Sequence, residues 1–148
     1  MVAREEMVPV VYDFNSSEPI YIQLLDIFRE RIANGSWEAG SKMDSVRNLA
    51  LDYGVNPNTV QRALSELERE GFCYSERTAG RFITKDGEMI KELRRNILRQ
   101  EGESLVRRAR ALRLDKEDLD RLINLLWQSA SEGGRDLDSE EGENRVNY

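Results

Sequence analysis

The segment Arg47-Asn48-Leu49-Ala50-Leu51-Asp52-Tyr53-Gly54-Val55-Asn56-Pro57-Asn58-Thr59-Val60-Gln61-Arg62-Ala63-Leu64 holds two short helical patterns joined at a tight corner. Gly54 predicts the end of the first helix, because glycine enters the left-handed region without the steric penalty that a Cβ brings. Asn56 predicts the N-cap of the second. Pro57 suits its first position, where the missing N–H is no loss and the fixed φ is already helical. From there Val60, Ala63, Leu64 and Leu67 recur at helical spacing as an apolar stripe, which leaves Asn58, Thr59, Gln61 and Arg62 on a polar edge. Ala50 is small enough for the helices to cross closely, and Leu49, Val55 and Val60 can fill the corner. Such a pair is a helix-turn-helix, whose second helix offers its polar edge to a DNA groove. An ordinary helical hairpin with a solvated face fits the same residues, so the flanking sequence has to decide.

Upstream, Pro19 to Ile32 carries apolar residues at 20, 24, 27, 28 and 32 and stops at Asn34-Gly35, which predicts a supporting helix. Downstream, the second helix breaks at Glu70-Gly71. Phe72 to Ser75, a turn over 76–80, and Arg81 to Thr84 then predict a short β-hairpin. Three helices and a hairpin make a winged helix. The fold class is therefore mainly α with a small β wing: an N-terminal winged helix-turn-helix followed by a two-helix C-terminal dimerisation segment.

Over residues 10–84 the chain resembles the GntR family of bacterial transcription regulators. The resemblance is carried by Pro19-Ile20-Tyr21-Ile22-Gln23-Leu24, by 34–43, by Ser45-Val46-Arg47-Asn48-Leu49-Ala50, by 55–64 and by Glu66-Leu67-Glu68-Arg69-Glu70-Gly71. The segment Asn56 to Arg62 and the short length are most similar to the YtrA-type subfamily, which implies a brief helical dimerisation segment in place of a large ligand-binding domain. Matched to the family pattern, Ser45 implies a helix cap facing a phosphate, and Arg47 a phosphate or guanine contact. Asn56, Asn58, Thr59, Gln61 and Arg62 imply the base-reading face, since Asn and Gln suit adenine edges and Arg suits guanine. The wing implies Arg77, Gly80 and Arg81 as further DNA contacts. It departs from the family pattern at Thr78, where glycine is usual, and at Arg81, where a small residue is usual. Asp44 also stands where the family carries proline, adding a negative charge that predicts modestly weaker binding.

The net charge of −6 runs against nucleic-acid binding until it is divided along the chain. Residues 131–148 hold six acids and two basic residues, whereas 19–84 hold nine acids and eight basic residues. Lys42, Arg47, Arg62, Arg77 and Arg81 are expected on the DNA side, with Glu66, Glu68 and Glu70 toward the far end of the second helix. Placement matters more than the sum.

From Asp86 to Leu114 an amphipathic pattern runs through Met89, Ile90, Leu93, Ile97, Leu98, Leu105, Ala109 and Leu112, with Gly102 as a weak point or kink. Asp115 predicts the cap of a last helix reaching about Ala130, with Leu119, Leu122, Ile123, Leu126 and Trp127 on one face. Two helices are too thin to bury both stripes. Ile90, Leu93, Ile97, Leu105, Leu112, Leu119, Leu122, Ile123, Leu126 and Trp127 are accordingly expected to pack against a second copy, the alternative being that some fold back on the winged helix of the same chain. The long helix is also basic, with nine Lys and Arg against five acids over 85–114. A solvated face accounts for that, with extra phosphate contact as the lesser reading.

The predicted organisation is 10–84 for DNA binding and 85–130 for the helical dimerisation or effector segment, with 1–9 and 131–148 disordered. Val8 to Phe14 is apolar enough for an extended arm. No apolar run spans a bilayer and no leader is present, which predicts a cytoplasmic protein. One cysteine, Cys73, excludes an internal disulfide. The absence of histidine removes the commonest metal ligand and general base. No catalytic frame, metal site or cofactor loop is expected. The function expected is a repressor that binds a palindromic double-stranded operator as a homodimer, with a small-molecule effector lodging between tail helices and winged domains. The YtrA-type resemblance implies that its targets are its own operon and an ABC transporter. The alternative is a degenerate winged helix that binds protein in place of DNA.

Overall fold

The structure, a computed structural model, describes the backbone of residues 12–139 and the side chains of 12–133. The disorder expected over 1–9 lies outside the described residues, as does most of the proposed arm. The elements follow in the order α1 Ile20–Ala33, α2 Val46–Tyr53, α3 Pro57–Arg69, β1 Cys73–Glu76, β2 Gly80–Ile83, α4 Gly87–Ala111 and α5 Lys116–Ser139.

Each local break has the chemistry expected of it. Ser45 caps α2, its Oγ accepting from the N–H of Asn48 at 3.1 Å, and Asn56 caps α3, its Oδ1 accepting from the N–H of Asn58 at 2.8 Å. Gly54 ends α2 at φ 65°. The N–H of Val55 returns to the carbonyl of Ala50 at 3.0 Å and that of Gly54 to Leu51 at 3.4 Å, closing a Schellman turn. Phe72 and Gly71 close α3 in the same way onto Leu67 and Glu68.

The core forms where three stripes meet: Leu24, Leu25, Phe28 and Ile32 of α1, Leu49, Ala50 and Tyr53 of α2, and Val60, Ala63, Leu64 and Leu67 of α3. Cys73 and Ile83 close it from the wing. The hairpin is antiparallel, with Cys73 opposite Ile83 and Glu76 opposite Gly80. Its second strand has another neighbour: Lys42 bridges Phe82, the N–H of Met43 donates to the carbonyl of Arg81 at 2.8 Å, and that of Ile83 to Ser41 at 2.9 Å. The segment before α2 thus adds a one-residue bridge at Lys42 to the edge of the wing, a pairing for which the sequence offered no signal.

Two compact units divide at Arg99 and Gln100. This corrects the expected boundary at 84–85, and the reason is packing: Ile90 and Leu93 are buried in the core of the winged unit, and Ile97 lies against it. These three were expected at a dimer seam. They serve this chain's own core instead. The Arg94 Nε donates to the carbonyl of Ala33 at 2.6 Å, tying the start of α4 to the end of α1.

In the second unit α4 is unbroken through Gly102, so the expected interruption is a helical glycine with open space around it. The helix ends three residues before the expected Leu114. Arg113 adopts φ 61°, and the N–H of Leu114 reaches the carbonyl of Ala109 at 3.0 Å. This is again a Schellman turn, with arginine where glycine usually stands. Asp115 accepts from the N–H of Asp118 at 2.8 Å as the cap of α5. That helix continues past Ala130 to Ser139, correcting both its predicted end and the disorder predicted for its last stretch. No proline stands in the run, so each added residue still gains one hydrogen bond.

Candidate nucleic-acid interface

The caps and the corner put Ser45, Arg47, Asn56, Asn58, Thr59, Gln61 and Arg62 at the N-terminal ends of α2 and α3, all solvent-exposed except the half-buried Thr59. The local folding reason is the high amphipathicity of α3. Once Val60, Ala63, Leu64 and Leu67 are fully buried, the remaining positions of its first two turns can only face out. The side chains on that edge are not equivalent. Ser45 and Asn56 already spend an oxygen on capping, which leaves the Asn56 amide to donate. Gln61 donates from Nε2 to Ser65 Oγ at 3.2 Å, which in turn donates to the Gln61 carbonyl at 2.8 Å. Arg62 lies with its guanidinium over the ring of Tyr21, 3.8 Å from the centroid. Among the described residues, neither Arg47 nor Arg62 is paired with an acid.

The acids of α3, by contrast, are engaged. Glu70 accepts from both Nε (2.9 Å) and Nη2 of Arg29, and this partly buried pair raises the Arg29 pKa, with the Glu70 hydrogen bond as its main cause. Glu66 pairs with Arg69 at 2.6 Å. Glu68 accepts from the backbone N–H of Ser75 at 2.8 Å and faces Arg81 Nη2 at 3.5 Å. Each of these three carboxylates thus has a positive neighbour, which answers the composition's objection more directly than the division of the chain did.

Arg81 was expected as an outward wing cation, and the structure turns it inward. Its side chain is 17% exposed, directed at Glu68, with Nε buried and unpartnered. Arg77 and Gly80 remain exposed at the wing turn. Gly80 has φ 105°, a backbone conformation that favours glycine, and a Cβ there would meet the Lys42 side chain at 3.1 Å from its Cε. Between wing turn and α2 lies an open cleft of about 550 Å³ whose rim includes Lys42, Asp44, Ser45, Thr78 and Gly80. A smaller depression of about 350 Å³ at the start of α3 is lined by Ile20, Tyr21, Asn58, Thr59 and Arg62.

Sequence reasoning missed Tyr21, Glu68 and the aromatic brace under α2. In that brace the Tyr12 ring packs tilted against Tyr53 at 4.5 Å between centroids, and the Tyr53 ring meets Phe28 edge-on at 5.6 Å. Arg31 donates to the Tyr12 hydroxyl at 2.8 Å. Burial pushes the Tyr53 phenol up to about 12 and the Cys73 thiol up to about 11. Only the appearance of Tyr21 and Tyr12 beside apolar stripes hinted at any of this, since each contact joins residues far apart in the chain.

Comparison with known proteins gives this surface its context. The family model for bacterial regulatory proteins of the gntR family matches residues 20–83. YhcF of Bacillus subtilis (strain 168), an HTH-type transcriptional regulator, is 39% identical over 106 residues, 72% of this chain and 88% of its own. The HTH-type transcriptional repressor YtrA of the same organism is 42% identical over 74 residues, 50% of this chain and 57% of its own. A solved GntR family transcriptional regulator from Listeria monocytogenes shares the fold at a TM-score of 0.64 and 36% identity, covering 75% of this chain and 97% of that one. No helix among the described residues is long and apolar enough to cross a membrane. With its capped corner, its polar α3 edge and these relatives, the chain belongs to the GntR family of bacterial regulatory proteins and is a DNA-binding transcription regulator, not an enzyme.

Proposed function

We propose that this regulator is a cytoplasmic repressor that binds a palindromic operator as a homodimer, each α3 entering the major groove of one half-site. The observation that carries the reading is the exposed row Asn58, Gln61 and Arg62, with the half-buried Thr59 among them, beside Arg47, both arginines being left without an acid partner among the described residues. Arg62 reads a guanine edge, Asn58 and Gln61 read base edges, and Arg47 with the capped start of α2 holds phosphate. Arg77 and the turn at Gly80 supply the wing contact, and Arg81 holds the wing in place instead of reaching out.

Few phosphate contacts per half-site make a single copy a weak binder, so two copies with half-sites roughly 34 Å apart are needed. Leu105, Leu112, Leu119, Leu122, Ile123, Leu126 and Trp127 are the surface for that pairing. Likeness to YtrA, which is named a repressor, supports repression; the targets proposed, the protein's own operon and an ABC transporter, rest on the subfamily resemblance alone. A small-molecule effector would act by changing the half-site spacing.

The test is a fluorescence-anisotropy titration against the protein's own upstream DNA and a scrambled duplex at two salt concentrations. The expected result is tighter, steeply salt-dependent binding of the upstream DNA by two chains, lost in Arg47→Ala and Arg62→Ala with folding intact. Wild-type affinity in both variants would overturn the residue assignment. Equal weak binding of both duplexes, together with capture of a protein partner, favours the interaction-module reading.

A further inference from the structure

The contact between Tyr21 and Arg62 joins the first turn of α1 to the recognition edge of α3, and nothing in the helix-turn-helix itself requires it. The pairing is close, at 3.8 Å from guanidinium carbon to ring centroid. It is also placed. Tyr21 and Arg62 line one depression with Asn58 and Thr59, so the ring borders the same surface that the polar row occupies.

Two physical points give the contact meaning. A guanidinium laid on an aromatic face keeps its five N–H donors in plane and available, whereas an acid partner would consume them. Arg29, Arg69 and Arg81 have acid partners of that kind, while among the described residues Arg62 has none. The second point is rigidity. Tyr21 lies one turn before Leu24, and Leu24 and Phe28 are fully buried, so the ring is carried on an immobile stretch of α1. A long arginine side chain carries considerable rotamer entropy, and a fixed plane beneath it removes part of the cost of immobilising it on a base.

We propose that Tyr21 is a positioning residue for DNA recognition: its ring face presets the guanidinium plane of Arg62 and thereby contributes to sequence discrimination without itself reading a base. The proposal rests on the reading above, in which Arg62 contacts DNA.

The experiment uses the full chain and a duplex that the wild-type protein selects from a randomised pool, with a shuffled duplex as the non-specific reference. Tyr21→Phe, Tyr21→Leu, Arg62→Ala and the double variant Tyr21→Leu/Arg62→Ala are compared by anisotropy, with thermal unfolding as the check on folding. The Phe variant, which keeps the ring face, is expected to bind as wild type. The Leu variant should lose roughly three- to fivefold on the selected duplex and nothing on the shuffled one, the size of an exposed cation–π contact. In the Arg62→Ala background the Leu change should do nothing further, because its effect passes through Arg62. A loss in Tyr21→Phe, or an equal loss by Tyr21→Leu with and without Arg62, would overturn the positioning role and assign Tyr21 a contact of its own. Full binding by Arg62→Ala, or failure of the wild type to enrich any duplex, would overturn the underlying reading.

Discussion

The two units of the chain solve the burial of apolar surface in opposite ways. In the first, Leu24, Phe28, Val60, Ala63 and Leu67 are completely buried, and Glu66, Glu68 and Glu70 at the edge of that core each face an arginine. In the second, Leu122, Leu125, Leu126 and Trp127 stand 42%, 64%, 59% and 76% exposed, a density of apolar surface that a soluble monomer seldom leaves open. The contrast teaches which half is self-sufficient. The winged unit buries its apolar stripes within itself, while the helical unit leaves open an apolar face that the proposed second copy would cover.

The sharpest way to break that contrast is to cut into each unit and compare. Phe28→Ala removes a side chain that touches both Trp37 and Tyr53, and should lower stability in denaturant titration by about 3–5 kcal/mol. A loss below about 1 kcal/mol would mean that the winged unit is not the tightly packed body described. Next in size is an alkaline effect confined to the first unit. The Tyr53 phenol titrates at about 12 in the fold against an ordinary 10.0, so the folded chain holds a proton that the unfolded chain releases. The stability tied to it is whole below pH 10 and is lost as pH rises toward 12, by up to about 2 kcal/mol. Tyr53→Phe should flatten that decline, and an unchanged slope would show the phenol to be unimportant.

In the helical unit, Trp127→Ala should leave the unfolding of residues 12–99 unaltered and weaken self-association at least tenfold, or about 1.4 kcal/mol, in sedimentation equilibrium. If association is unmoved, α5 is not the seam. Smallest is Arg113→Gly. Relief of a left-handed arginine should raise hydrogen-exchange protection around the α4–α5 turn by about 0.5–1 kcal/mol, and a decrease would imply that the arginine side chain contributes more than its backbone costs.

What could be read from the residues follows the range of the interactions. Gly54, Asn56 and Pro57 act within one turn of themselves, so the corner was legible to the residue. The bridge at Lys42 was not, because its partner Phe82 is supplied by tertiary pairing. Arg81 misled for the same reason: a basic residue in a wing looks outward until Glu68, thirteen positions earlier, is known to face it. Periodicity found the apolar faces of α4 but could not say that Ile90, Leu93 and Ile97 turn to their own chain while Leu105 and Leu112 remain open. The end of α5 was missed because glycine and acidic composition lower helix propensity without forbidding a helix already begun.

Cys73 lies at 2% exposure where β1 meets α3, its Sγ 3.9 Å from the carbonyl of Leu64. With a thiol near 11, only about one molecule in a thousand carries a thiolate there at pH 8, and no reagent can reach it while the strand is seated. As the only thiol in the chain, it makes the protein its own stopwatch: the rate at which a maleimide consumes it counts how often the wing lifts off the helix it steadies.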